Sequence, residues 1–139
     1  MNGPATVDTN IAIYAALDEP KSATATGAVR KADFISVQVL NEFANALHRK
    51  QRRHWRDVAE AISDLRVLVP LIVPIDDEAH REALRIAARY QLSFYDALML
   101  AVALSGGART FYSEDMQHGM TIDEALRVVD PFIPGALDA

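Results

Sequence analysis

Asp33-Phe-Ile-Ser-Val-Gln-Val-Leu-Asn-Glu-Phe-Ala-Asn-Ala-Leu47 changes its hydrophobic period partway along. Phe34, Ile35 and Val37 form a short apolar run, which reads as a strand over Asp33–Val37. From Ser36 or Val37 onward the period is helical. Val39, Leu40, Phe43, Ala44 and Leu47 make an apolar stripe, and Gln38, Glu42, Asn45 and Arg49 make a polar one. Strands alternating with helices imply an α/β protein, a three-layer α/β/α sandwich around a central, mainly parallel sheet.

The flanking sequence repeats the alternation. Upstream, Ala5–Asp8 reads as a first strand after Pro4, and Asn10–Leu17 as a helix broken by Asp18-Glu19-Pro20. Lys21–Lys31 is Ala/Thr-rich and weakly helical. Downstream, a basic stretch, His48–His54, leads to a helix with Trp55, Val58, Ala59, Ile62 and Leu65 on its apolar side. Pro70 and Pro74 bracket a strand, Leu71–Ile75. Asp76-Asp77-Glu78 opens a helix with acids in its first turn, where the macrodipole favours them. Ser93 caps a helix over Phe94–Leu104 that is apolar on most sides and therefore expected to be buried, and Gly106-Gly107 ends it. Arg109–Tyr112 reads as a strand, Ser113–Gly119 as a polar turn, and Arg127–Val129 as a short last strand before Pro131. The 139 residues suit a single domain, 1–139, with no repeat or low-complexity segment.

Composition narrows the function classes. A net charge of −5 and a pI of about 5.3 argue against a protein that coats nucleic acid by bulk electrostatics. The absence of cysteine excludes disulfides and thiolate metal sites. The N-terminus has no basic region ahead of an apolar run, and the longest apolar stretches, Val67–Ile75 and Ala97–Leu104, are too short to span a bilayer. These features predict a cytoplasmic protein without a membrane partner.

Four acids share a predicted location. Asp8 closes the first strand and Glu42 lies one turn into the helix after the second. Asp96 is in the first turn of the buried helix, and Asp115 follows the strand Arg109–Tyr112. Ligands of such sheets bind at the carboxyl ends of the strands, where all four can converge. Each acid also has an ordinary reading. Asp8 can be a helix N-cap, Ser93-x-x-Asp96 is a capping pattern, Glu42 can face solvent, and Asp115 can be turn chemistry. Four carboxylates in one cleft, however, repel one another and invite a hard cation. Mg²⁺ needs only one or two direct carboxylates, and Mn²⁺ suits the same ligands. Such a centre can activate water against a phosphodiester.

Four motifs carry a family resemblance. Val7-Asp8-Thr9-Asn10-Ile11 resembles the opening motif of PIN domains, and Ser36-Val-Gln-Val-Leu-Asn-Glu42-Phe resembles their second. Ser93-Phe-Tyr-Asp96-Ala-Leu and Tyr112-Ser-Glu-Asp115-Met-Gln-His-Gly119 resemble the third and fourth. At this length the commonest PIN proteins are VapC-type toxins, Mg²⁺-dependent ribonucleases silenced by a VapB-type antitoxin, and the resemblance implies one of these. It implies catalytic roles for Asp8, Glu42, Asp96 and Asp115, with Asp8, Asp96 and Asp115 as metal ligands. Asn10 and Ser113 would orient the carboxylates or a water. It also implies an RNA substrate, a homodimer, and a groove near Tyr14, Leu40 and Leu47 for an amphipathic antitoxin segment. Asp130-Pro131-Phe132 stands where many relatives carry Asn-Pro-Phe, and the place of Glu114 is left open.

Arg49, Lys50, Arg52, Arg53 and Arg56 hold five of the 14 Lys/Arg residues. They read either as a solvated helix junction or as a patch that contacts RNA phosphates. His48, His54, His80 and His118 lack metal-ligand spacing and read as surface residues, and Trp55 reads as core or dimer interface rather than a base-stacking platform. A phosphoacceptor receiver domain would need a lysine after a late strand, but the lysines are Lys21, Lys31 and Lys50. A haloacid-dehalogenase-like phosphatase would open with Asp-x-Asp, not Asp8-Thr9-Asn10. The remaining alternatives are a PIN nuclease acting without an antitoxin and a PIN fold used only for binding.

Overall fold

The computed structural model describes residues 3–138. In chain order the elements are β1 (Ala5–Val7), α1 (Thr9–Ala16), α2 (Ser22–Lys31), β2 (Ile35–Ser36), α3 (Val37–Arg49) and α4 (Trp55–Leu68). They continue with β3 (Ile72–Val73), α5 (Asp77–Tyr90), α6 (Phe94–Ser105), β4 (Thr110–Tyr112), β5 (Thr121–Ile122) and β6 (Leu126–Val129). A single 3₁₀ turn, Ala136–Asp138, closes the described chain.

β1, β4, β6 and β5 form one ladder in that order, and β2 pairs with β3 in another. All pairings are parallel except the β5–β6 hairpin. The two ladders meet where Asp33 follows α2. Its N–H donates to the Ala5 carbonyl at 2.8 Å, and its carboxylate accepts the Ala5 N–H at 2.9 Å. The Thr6 hydroxyl donates to the Phe34 carbonyl at 2.6 Å. β1 is therefore central, with β2 on one side and β4 on the other. Steps from β1 through β2 to β3 move one way across the sheet, and the return to β4 moves the other way. Right-handed crossovers then place α1–α4 over one face and α5–α6 over the other. The packing agrees: α1 lies against α2 and α3, α3 against α4, and α5 against α6. The expected sandwich is present, and its switch point falls between β1 and β4.

The helices follow their caps. Asp8, Ser36, Asp76 and Ser93 each accept a backbone N–H at the start of α1, α3, α5 and α6. Every residue from Ala97 to Ala103 in α6 is buried, which its alanines permit at close quarters. The core runs on through Val7, Ile11, Phe43, Leu47, Ile86 and Phe111, all at most 1% exposed.

Three expectations change. β5 was not foreseen, because Thr121-Ile122 is too short to show a period. Its turn places Asp123 and Glu124 at φ 52° and 56°, and α5 braces it. The Tyr90 hydroxyl accepts the Asp123 N–H at 2.8 Å, and Arg85 pairs with the Asp123 carboxylate at 2.5 Å. The third strand is Ile72–Val73 rather than Leu71–Ile75, and Leu71 is exposed. On α4, Val58 and Leu65 are buried, but Ala59 is exposed and Trp55 is 60% exposed, so Trp55 is not core.

Gln91 ends α5 in the left-handed region at φ 56°, with its N–H on the Ala87 carbonyl. A glycine tolerates that conformation without a Cβ penalty. Gln91→Gly should raise stability by about 1 kcal/mol, read as a rise of about 3 °C in Tm. A lower Tm would show that the Gln91 side chain contributes more than its backbone costs.

Candidate active site

The carboxyl edge at the switch point carries a cavity of about 600 Å³, lined by Asp8, Glu42, Asp96 and Asp115 among others. Topology explains the convergence. Asp8 follows β1, and Asp115 follows β4. α6 runs back against β4 through Gly106-Gly107, which brings its first turn, with Asp96, to the same edge. α3 leaves β2 upward, so Glu42 faces in from its polar stripe.

Asp8 is the most constrained of the four, at 8% exposure. One carboxylate oxygen accepts the Thr9 N–H at 2.8 Å, and the other accepts the Ser113 hydroxyl at 2.9 Å. Ser113 is wholly buried, and its oxygen also accepts the Met116 N–H at 3.2 Å. Burial pushes the Asp8 carboxyl up to about 6. The two hydrogen bonds oppose that rise, and the charges of Asp96 and Asp115 add to it. Asp8 is thus a helix cap that also lines the cavity, so the two readings do not exclude each other. Asp96 behaves similarly: Ser93 accepts its N–H at 3.3 Å, leaving the Asp96 carboxylate free for the cleft.

Glu42 is held by two donors the sequence did not single out as partners. The Thr9 hydroxyl donates to one oxygen at 2.6 Å, and the Gln38 amide, one turn earlier, donates to the other at 3.1 Å. The Gln38–Glu42 spacing of four residues was the legible signal. Asn10 donates its side-chain amide to Asp115. Glu114 turns away from the cavity. It accepts hydrogen bonds from Lys21 and from the Tyr14 hydroxyl, and these contacts hold its carboxyl below the usual range. Lys21 also lies over the rings of Tyr14 and Phe132, which meet edge-on at 5.4 Å. Phe132 is presented by an Asp130 side chain that accepts its N–H at 2.9 Å.

The donors around the cleft are all oxygens, which fits a hard divalent cation in kind. Among the described residues no three acids or histidines stand close enough together to enclose an ion. Hydrogen bonds to Asn10, Thr9 and Gln38 hold Asp115 and Glu42 toward their own donors. Mg²⁺ keeps most of its waters and needs one or two direct carboxylates, so the set remains suited to it.

The basic run divides. Arg49 and Lys50 line the acidic cavity. Arg53 instead lines a second cavity, of about 550 Å³, between α1 and α4. Its floor includes Ala12, Ala15 and Leu68, and its rim Asp57, Glu60 and Asp64. This is the open groove. Leu40 and Leu47, expected to border one, are 7% and 0% exposed and belong to the core. His54, His80 and His118 are exposed as expected, while His48 is half-buried against Trp55. No described helix is long and apolar enough to cross a membrane.

The family model of the PIN domain matches residues 5–119, most of the chain, and the protein belongs to the PIN domain family. The match stops before β5 and β6, which complete the sheet. The fold is similar to that of VapC20 of Mycobacterium tuberculosis, a toxin that cleaves the sarcin–ricin loop. That likeness has a TM-score of 0.65 at 22% identity, over 80% of this chain and 89% of the other. A toxin–antitoxin complex from Klebsiella pneumoniae contains a chain that is similar at a TM-score of 0.69 and 20% identity, over 93% of this chain and 98% of that one. No curated protein is matched by the sequence.

Proposed function

We propose that the protein is a Mg²⁺-dependent endoribonuclease, the toxin of a toxin–antitoxin pair, hydrolysing RNA phosphodiester bonds at Asp8, Glu42, Asp96 and Asp115. The observation that carries this reading is the lining of one cavity by all four acids, at the switch point of a PIN fold. The solved toxins of similar fold support the toxin assignment.

Of Asp8, Asp96 and Asp115, one or two would hold the metal directly and the rest through its waters, and the metal would supply charge neutralisation at the phosphate and an activated water. Mn²⁺ would serve the same donors. The protein's own part is positional. Ser113 and the Thr9 N–H fix Asp8 so that it cannot turn out of the cleft. Asn10 holds Asp115. Glu42, with each oxygen accepting one hydrogen bond, is placed to receive the proton of the attacking water. Arg49 and Lys50 on the rim would meet the phosphates flanking the cut. The α1–α4 groove, apolar in its floor and acidic at its rim, would receive a basic amphipathic segment of a VapB-type antitoxin. The protein would act in the cytoplasm as a homodimer, and a light-scattering mass of one chain at micromolar concentration would exclude that assembly.

Asp96→Asn tests the centre. Its cleavage of single-stranded RNA in Mg²⁺ should fall at least ~10²-fold while its circular dichroism is unchanged. Mg²⁺ at tenfold its Kd should stabilise the wild type by about 1.4 kcal/mol, and Asp96→Asn by less. Wild-type cleavage by the variant, together with no Mg²⁺ shift in either protein, would refute the assignment.

A further inference from the structure

The junction between α3 and α4 contains an arrangement that the four acids do not explain. Trp55, in the first turn of α4, leaves 60% of its surface exposed. One face of its indole is covered by the His48 imidazole, with ring centroids 3.7 Å apart and planes 15° from parallel. His48 is fixed in turn. Its Nδ1 lies 3.0 Å from the Arg53 carbonyl, which can only accept, so Nδ1 carries the proton. The loop beneath is tied to the end of α3, the Arg53 N–H donating to the Leu47 carbonyl at 3.0 Å and the Gln51 N–H to the Ala46 carbonyl at 3.2 Å. The indole is thus a rigid plane with its outer face available for a further ring.

Its surroundings are cationic rather than apolar. Arg49, Lys50, Arg52, Arg53 and Arg56 fall within eight residues that contain no acid, in a chain whose net charge is −5. Among the described residues none of the five enters an ion pair. The acids of α4, Asp57, Glu60 and Asp64, line the groove toward α1 together with Arg53, which leaves Arg49, Lys50, Arg52 and Arg56 to the patch. The exposed apolar residues Val67, Leu68 and Leu71 lie at or beyond the far end of that 14-residue helix, roughly 20 Å away. A protein interface centred on Trp55 would bring an apolar surround, whereas a polyanion carrying flat rings matches what is present. The patch is continuous with the acidic cleft: Asn45, one turn before His48, and Arg49, the next residue, both line it.

We propose that this junction is a second RNA contact, in which an unpaired nucleobase flanking the scissile phosphate stacks on Trp55 while Arg49 and Lys50 carry the intervening phosphates to the cleft. It rests on the ribonuclease reading and adds the kind of RNA required: a strand single-stranded beside the cut, since a paired base cannot reach the indole. The exposure of Trp55 removes the core reading made from sequence, and of the two that remain we take the stacking platform over the interface.

Trp55 is the only tryptophan in the chain, so its emission reports this contact alone. The test uses the full chain carrying Asp8→Asn, to prevent cleavage, titrated with a fluorescein-labelled single-stranded oligoribonucleotide of mixed sequence. Polarisation of the label reports total binding. Tryptophan emission should be quenched along the same isotherm. Adding Trp55→Ala should raise Kd about 5- to 100-fold, and Trp55→Phe should recover most of the loss. Replacing Arg49 and Lys50 with Ala should reduce the salt slope by roughly one to two while leaving the quenching at saturation intact. Binding with unchanged emission and an unchanged Kd in Trp55→Ala would overturn this inference and leave the ribonuclease reading standing. No binding by polarisation would overturn both. Quenching that follows protein concentration without RNA, with a light-scattering mass lost in Trp55→Ala, would make the patch a self-association surface and overturn it as well.

Discussion

Asp8→Asn should abolish RNA cleavage and at the same time make the protein more stable at neutral pH. The native state raises this carboxyl from 3.8 to about 6, chiefly by burial. An acid raised on folding binds its proton more tightly in the native state than in the unfolded chain. Between about pH 4 and pH 6 the native protein therefore holds the extra proton, and stability falls as pH rises through that window. Above pH 6 the full cost of burying the charge is present, roughly 3 kcal/mol. Asparagine removes the charge while its carbonyl still accepts the Thr9 N–H. It cannot accept the Ser113 hydroxyl equally well, which returns part of the gain. The net expectation is about 1–2 kcal/mol of added stability at pH 7, shrinking toward zero below pH 4. Urea unfolding of both proteins from pH 3.5 to 8 measures this. A variant that is less stable at pH 7, or a difference that does not change with pH, would show that Asp8 acts as a structural cap and not as a strained functional acid. The activity side is expected to be larger, at least ~10²-fold.

Gly106→Ala should cost more stability than any other alanine substitution at a glycine with ordinary backbone angles. Gly106 has a right-handed helical φ of −79°, so strain in the backbone is not the reason. A Cβ there would lie 2.4 Å from Cζ of Phe34 and under 3 Å from both neighbouring ring carbons. Phe34 is only 2% exposed, and its carbonyl accepts the Thr6 hydroxyl at the seam between β1 and β2. The ring has no free space to enter. Overpacking of this kind costs about 2–3 kcal/mol, or on the order of 6–9 °C in Tm for a domain of this length. Pairing the change with Phe34→Leu, which removes the far end of the ring, should recover part of the loss. Thermal melts of the single and double variants decide it. A single variant that melts with the wild type would mean that the ring moves aside freely.

That glycine illustrates what sequence can and cannot carry. Gly106-Gly107 was readable as the end of α6, but the reason was not. The tertiary approach of Phe34, seventy-two positions earlier, fixes one glycine, and a positive φ of 84° fixes the other. The layered fold and the shared edge of the four acids were legible because strand–helix alternation sets which ends point the same way. The partners of the acids were less so. The Glu42–Gln38 pair follows from helical spacing, whereas the Glu42–Thr9 bond spans 33 residues and follows only from the packing of α1 on α3. The place of Glu114 stayed open, because nothing local reveals that Lys21, 93 residues away, turns it outward. The core reading of Trp55 failed because a helical stripe marks a face without saying how far along the helix that face stays covered. β5 escaped notice because Arg85 and Tyr90 of α5 hold a turn that its two residues alone could not define.

The position of β1 in the middle of the sheet also sets a timetable. Its links to the β2 segment close a span of 28 residues, but the Asp8–Ser113 bond closes one of 105. The longer closure costs about 1 kcal/mol more chain entropy. On a ribosome, Asp8, Glu42 and Asp96 have all emerged before β4 exists to complete the central pairing. Until Ser113 is translated, the Asp8 carboxylate has only the adjacent Thr9 N–H as a partner. The central β1–β4 pairing and the Asp8–Ser113 bond therefore form only once β4 and the residue after it have been made. Strand order alone thus makes completion of the acidic edge a late event of folding, since its closing contact has the largest sequence separation of those around Asp8.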